Sequence, residues 1–165
     1  MPASNRPLLF LDVDGTLIPF GAPQADPADT ATPMRRLPAG ANPLLARINP
    51  SHGPQLSSMP CQLVWATTWM SDANDAIAPL LGLPALPLVD WPDTDDGGPT
   101  HWKTAPLVAW AAGRSFVWVD DEITDIDRVW VAANHPSPAL LHRVDAHRGL
   151  TDQDFETISS WLARL

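Results

Sequence analysis

At 165 residues, 45% of them hydrophobic, the chain is the size of one domain and carries enough apolar side chains for a core, which excludes global disorder. Ten Lys plus Arg against 19 Asp plus Glu leave a formal charge of −9, the wrong sign for a general binder of nucleic-acid backbone. No apolar run of about 18 residues is present to cross a membrane, and the single cysteine, Cys61, excludes an internal disulfide framework and a cysteine-based zinc cluster. Residues 1–7 lead directly into a strand-like segment and not into a signal-peptide core, so a cytoplasmic protein is expected. Nine of the ten basic residues are Arg, and Lys103 is the one lysine. A lysine that survives such a bias points to a task for a compact ammonium on a thin stem, which a guanidinium cannot imitate.

Leu8-Leu-Phe-Leu-Asp12 is a short apolar run ending in acid, the pattern of a strand buried on both faces. Asp14-Gly15-Thr16 then supplies turn chemistry. From Ile18 to about Asn42 the chain is rich in Pro, Ala and small polar residues and predicts an irregular, flap-like excursion with a short hairpin near its start. It has too few large apolar residues for a core of its own, so a single domain over 1–165 with a minimal cap is expected. A short strand is predicted at Leu44–Ile48, then a helix over 50–59 with Asn49 as its cap and Pro50 in its first turn. Gln62–Ala66 reads as a buried strand, Ser71–Leu81 as a helix ended near Gly82, and Leu86–Val89 as another strand. An acidic, glycine-containing loop at Asp93–Gly98 precedes a helix over 103–112, and Phe116–Val119 is a strand running into Asp120-Asp121. A helix near 124–133, a strand at Leu140–Val144 and a helix near 152–164 complete the chain; Thr151 with Asp154 resembles the capping box of the last helix.

Strands alternate with helices throughout. The expected fold is α/β: a three-layer, doubly wound, mostly parallel sheet of Rossmann-like form. Such sheets bind ligands beyond the carboxyl ends of their strands. Collected there are Asp12 and Asp14 after the first strand, Thr67 and Thr68 after Leu-Val-Trp-Ala, Lys103 at a helix start, and Asp120 and Asp121 after Phe-Val-Trp-Val. Crowded carboxylates repel one another unless a cation sits between them, and an all-oxygen set suits Mg²⁺.

Asp-Val-Asp-Gly-Thr-Leu at 12–17 resembles the first motif of the haloacid dehalogenase superfamily of phosphatases, Thr67 its second, Lys103 its third and Asp120-Asp121 its acidic fourth. The four occur in order over 110 of the 165 residues. The stretch Leu63-Val-Trp-Ala-Thr-Thr-Trp69 is similar to that of small bacterial members of unassigned function. The resemblance implies an aspartyl-phosphate mechanism with Asp12 as nucleophile and Asp14 as general acid and base. It implies Gly15 for a tight turn, Thr16 as its support, Thr67 as donor to the phosphoryl oxygens, and Lys103 as the counter-charge to Asp12 and the phosphoryl group. Members that cleave carbon–halogen bonds lack the second aspartate and the metal, so Asp14 favours phosphoryl transfer. Mg²⁺ is expected on the Asp12 carboxylate, the Asp14 carbonyl and Asp121, with Asp120 acting through water or as an orienting acid.

Two assignments stay open. The metal-binding acid is taken in the order Asp121, Asp120, Asp125, since the spacing from Asp121 to Asp125 also resembles a variant fourth motif. Thr67 is preferred to Thr68 because it directly follows the apolar run, and strand alternation puts the two on opposite faces. His101 lies two residues before Lys103, near enough to touch substrate, and Trp69 and Trp102 flank the site residues as candidates for its rim.

The expected activity is a Mg²⁺-dependent phosphomonoester hydrolase acting on a phosphorylated small molecule or macromolecule, with no general nucleic-acid binding and no membrane partner. A phosphotransferase is a variant of it, and a catalytically idle scaffold of the same superfamily is the alternative. A response-regulator receiver shares the residue types, but there the acidic pair comes early and the Lys late, the reverse of this chain.

Overall fold

The structure, a computed structural model, describes residues 5–21, 42–94 and 97–165. The strands are β1 (Leu8–Leu11), β2 (Gln62–Trp65), β3 (Phe116–Asp120) and β4 (Ala139–Arg143). The helices are α1 (His52–Ser57), α2 (Ala78–Leu81), α3 (Thr104–Ala111), α4 (Asp125–Asn134) and α5 (Asp152–Leu162). A 3-10 turn, Pro43–Arg47, precedes α1, and a π turn, Ala73–Ile77, runs into α2. Most of the excursion expected at 18–42 lies outside the described residues.

The strands form one parallel sheet in the order β2-β1-β3-β4. Every residue of β1 and β3 is buried because both faces of the sheet are covered. Leu9, Leu11, Trp65, Val117 and Val119 face the layer of α1, α2 and α5, meeting Leu56, Leu81, Phe155 and Ile158. Leu8, Phe10, Val64, Phe116 and Trp118 face α3 and α4, meeting Leu107, Ala111 and Val131. The period of two along each strand thus sorts the apolar side chains into two cores, one per face. This is the three-layer α/β architecture expected.

From β1 the chain passes to β2 on one side, then returns across β1 to β3 on the other. The reversal opens a crevice at the carboxyl ends of β1 and β3, the switch point at which doubly wound sheets hold ligands.

Two expected strands are not formed. Leu44–Ile48 instead makes the 3-10 turn: Asn42 Oδ1 accepts from the Leu44 N–H at 3.0 Å, and Pro43 presets the first helical φ. Leu86–Val89 is reduced to one bridge, Trp65 with Leu88, because Pro87 has no N–H to give to a ladder and the Leu86 N–H is taken by Asn74 Oδ1 at 2.8 Å. Asn49 also acts differently from expectation. Its Oδ1 accepts from the Ser51 N–H and hydroxyl, and α1 starts at His52. The capping box at Thr151 and Asp154 is formed, and α4 carries a second one at Thr124 and Asp127. Among the described residues, no helix is long and apolar enough to cross a membrane.

Candidate active site

Asp12 follows the last residue of β1, and the chain turns at once. The amides of Thr16, Leu17 and Ile18 all donate to the Val13 carbonyl, at 2.9–3.1 Å. Gly15 takes φ +76°, where a side chain is strained, and a Cβ there would stand 2.6 Å from Asp121 Oδ2. The glycine therefore lets the β1 turn and the β3 end close on each other.

Lys103 stands at the residue before α3, makes no side-chain cap to it, and is buried. Its Nζ donates to Asp12 Oδ1 and Asp120 Oδ2, each at 2.8 Å, and to the Ala66 carbonyl at 2.9 Å. The carboxyl ends of β1, β2 and β3 thus meet on one ammonium, all three of whose protons are used. The second oxygen of Asp12 meets the Thr16 hydroxyl at 3.5 Å. Asp120 is filled by protein donors: besides Lys103, the Trp118 indole N–H at 3.3 Å and the Glu122 N–H at 3.0 Å. Asp121 is half-buried and faces the cavity. Asp125 lies apart, exposed and paired with Arg128 at 2.7 Å.

A cavity of about 230 Å³ is lined by Asp12, Asp14, Thr68, Lys103, Asp120 and Asp121, with Phe20, Trp102 and Glu122 completing its wall. Thr68, and not the preferred Thr67, is on that wall. Thr67 is buried; its hydroxyl accepts from the Trp69 N–H at 3.2 Å and its carbonyl from the Trp91 indole at 3.0 Å. Of the nine residues expected at the site, six line the cavity, Gly15 and Thr16 shape the turn beneath it, and Thr67 lies behind the wall.

The charges are unbalanced. Burial pushes the Asp12 carboxyl up to about 8, with Asp120 adding to the rise and Lys103 opposing it. Burial, then the neighbouring Asp120, pushes Asp121 up to about 6. Burial works against the Lys103 ammonium, but Asp12 and Asp120 together outweigh it and hold its pKa above the ordinary lysine value. Asp12, Asp120 and Asp121 bring carboxylate oxygens within 4.8 Å of one another against one ammonium. Hard oxygen donors held together at such a cost suit a divalent cation, which would relieve the repulsion that raises both carboxyl groups.

Over residues 8–155 the chain matches the family model described as "HAD domain in Swiss Army Knife RNA repair proteins". It belongs to this family. No curated protein and no solved structure matches the chain. Membership makes the protein a HAD domain of the haloacid dehalogenase superfamily, as the four motifs led one to expect, and places it in the general class of HAD-type, phosphatase-like hydrolases.

Several residues of this HAD domain that shape the site carry no motif. Asp127, fully buried, accepts from the His101 N–H at 2.7 Å and from the Thr104 hydroxyl, Thr124 N–H and Thr124 hydroxyl at 2.8 Å each. It clamps the segment before Lys103 to the start of α4. The Thr124–Asp127 spacing signals a capping box, but not its reach to His101. His101 in turn accepts the Lys103 N–H on Nδ1 at 3.2 Å and meets Glu122 at 2.8 Å through Nε2. It therefore braces the site from the side. Phe20 on the cavity wall and Trp118 beneath Asp120 gave no sequence signal beyond being aromatic.

Proposed function

We propose that the protein is a Mg²⁺-dependent phosphomonoester hydrolase working through an aspartyl-phosphate. The observation that carries this is Asp12, buried at the switch point with Lys103 Nζ 2.8 Å away, sharing its cavity with Asp14. Lys103 holds Asp12 Oδ1 and leaves Oδ2 to attack phosphorus. The P–O bond to the leaving group breaks as the Asp12–phosphorus bond forms, and Asp14 gives its proton to the departing oxygen. Asp14 then takes a proton from water as that water attacks phosphorus, which releases phosphate and restores Asp12. Lys103 stays in place throughout and offsets the charge that gathers on Asp12 and the phosphoryl oxygens. Thr68, on the cavity wall, and the backbone after Thr67 are the donors that face those oxygens.

The cation would rest on Asp12, Asp121 and the Asp14 carbonyl, with Asp120, its oxygens already bonded, orienting the set. When bound, it neutralises charge on the phosphoryl group in the manner general to such enzymes. Asp125, committed to Arg128, has no part in this.

The family description names RNA repair proteins, which supports a phosphorylated RNA end as substrate. The −9 charge fits recognition of the end and not of a length of backbone. The test is phosphate release from 3′- and 5′-phosphorylated oligoribonucleotides and from an aryl phosphate, with Mg²⁺, with EDTA, and by the Asp12→Asn variant. Metal-dependent release abolished in the variant supports the proposal. Release that survives Asp12→Asn refutes the aspartyl-phosphate. No release from any ester, together with no Mg²⁺-dependent capture of beryllofluoride on Asp12, makes the protein an idle scaffold.

A further inference from the structure

Beside the catalytic cavity runs a second, larger groove of about 710 Å³, formed by residues 92–94 and 98–102 with the exposed sides of α3 and α4. Trp102 lines both. We infer that this groove is a nucleobase subsite, which receives the base of the nucleotide whose phosphate occupies the cavity; the inference rests on the phosphomonoesterase proposal and adds the chemistry of its leaving group.

Trp102 is a fixed aromatic wall. Trp91 meets it edge-on with centroids 4.9 Å apart, and His101 lies against it at 5.4 Å. Trp91 is itself anchored through its indole N–H to the Thr67 carbonyl, which ties the aromatic wall to the chain just beyond β2. Trp130, half-buried on α4, forms another part of the groove. The indoles of Trp65, Trp69, Trp91 and Trp118 all donate hydrogen bonds inside the protein. Among the described residues, the indole N–H groups of Trp102, Trp110, Trp130 and Trp161 have no such partner, and of these Trp102 and Trp130 line the groove. They offer a flat apolar surface together with unused donors, the two things a base edge and face require.

Charge and distance select the occupant. Among the described residues no Lys or Arg lines the groove, and Asp93 does, so a second phosphate is disfavoured and a neutral group is favoured. In an aryl phosphate the ring is joined to phosphorus through one oxygen and stays within the small cavity, against Phe20 and Trp102. A nucleotide places a sugar between phosphate and ring, and that spacer carries the base beyond Trp102 into the groove.

The test compares kcat/KM for adenosine 3′- and 5′-monophosphates with that for ribose phosphate, which lacks the base, in the full-length protein. For the wild type the better nucleotide is expected to exceed ribose phosphate by about tenfold, the usual worth of one stacked base. Trp130→Leu is expected to bring that ratio close to one. Ala109→Glu, at an exposed position of α3 on the groove wall, should do the same without touching the core. A wild-type ratio near one, or a ratio that neither variant changes, overturns the inference, as does a preference for phenyl phosphate over both nucleotides. Photo-crosslinking of 5-iodouridine monophosphate, with the adduct mapped by peptide mass spectrometry, reads the groove without turnover. An adduct on Trp102 or Trp130 supports the subsite even if no ester is hydrolysed, whereas labelling elsewhere or none refutes it even if hydrolysis is found.

Discussion

The Trp69 indole N–H donates to Asp14 Oδ2 across 3.1 Å, tying the turn after β2 to the turn after β1. The bond joins residues 55 positions apart and restrains the carboxylate to which the mechanism gives both proton transfers. Trp69→Phe keeps most of the ring and removes the donor. As Trp69 positions Asp14 and does not hold substrate, kcat should fall about tenfold or more with KM nearly unchanged. The loss should be larger for an alkyl phosphate than for p-nitrophenyl phosphate, whose leaving group needs no proton. Equal losses for both esters would make Trp69 a packing residue only.

The two raised carboxyl groups set the pH behaviour of the metal-free protein. Asp121 and Asp12 ionise near 6 and 8 in the fold, against about 4 in an unfolded chain. A folded pKa above the unfolded one means that stability is fully present below about pH 4 and is lost as pH rises through 6 and 8. In EDTA the melting temperature should therefore fall from pH 5 to pH 8.5 from this source, and Asp12→Asn should remove much of the fall. Mg²⁺ should restore what is lost, with an affinity that rises over the same range and protons released on binding, measurable by calorimetry in two buffers.

Gly15→Ala tests the closeness of the two strand ends. The added methyl would meet Asp121 Oδ2 at 2.6 Å on a residue held at φ +76°. The strain of that backbone costs about 1 kcal/mol or more, and relief of the clash pushes Asp121 outward. The variant should melt lower and bind Mg²⁺ at least about tenfold more weakly, a loss of about 1.4 kcal/mol. Melting curves with and without metal separate the two effects.

Asp127 has the opposite sign from Asp12. Burial raises its pKa, but the Thr124 hydroxyl and amide, the His101 amide and the Thr104 hydroxyl together outweigh that and hold it below the ordinary carboxylate value. Its stabilisation is present above about pH 4 and is lost as pH falls through the depressed folded value. Asp127→Ala leaves these donors without an acceptor and should cost about 3 kcal/mol in urea unfolding. Asp127→Asn, which keeps the shape but not the charge, should cost less and lose the acid sensitivity.

Much of the fold was legible because its signals are short-range. Leu8–Leu11, Leu63–Ala66 and Phe116–Val119 are apolar quartets followed by Asp12, Thr67 and Asp120, the pattern of a strand covered on both faces. Thr151 and Asp154 mark a helix start within four residues. The failures were local contests of another kind. Leu44–Ile48 is apolar enough for a short buried strand, but Asn42-Pro43 commits the backbone to a helical turn, and Pro87 with the capture of the Leu86 N–H by Asn74 strips Leu86–Val89 of ladder donors.

The sequence by itself determined the α/β order, the four motifs and the acids at the strand ends, since periodicity, turn chemistry and caps act between neighbours in the chain. It could not say which acid faces the cavity. Asp120, Asp121 and Asp125 are alike in type and lie within six residues of sequence; only the arrival of Lys103 and Trp118 on Asp120, and of Arg128 on Asp125, leaves Asp121 to the cavity it shares with Asp12. The same holds for Thr68 over Thr67 on the cavity wall and for Trp102 and Trp130 lining one groove. Lys103 stands 91 residues from Asp12, and no local pattern encodes a contact of that span. The packing of helices on both faces of the sheet decides it, by fixing where each strand end points when its apolar residues are buried.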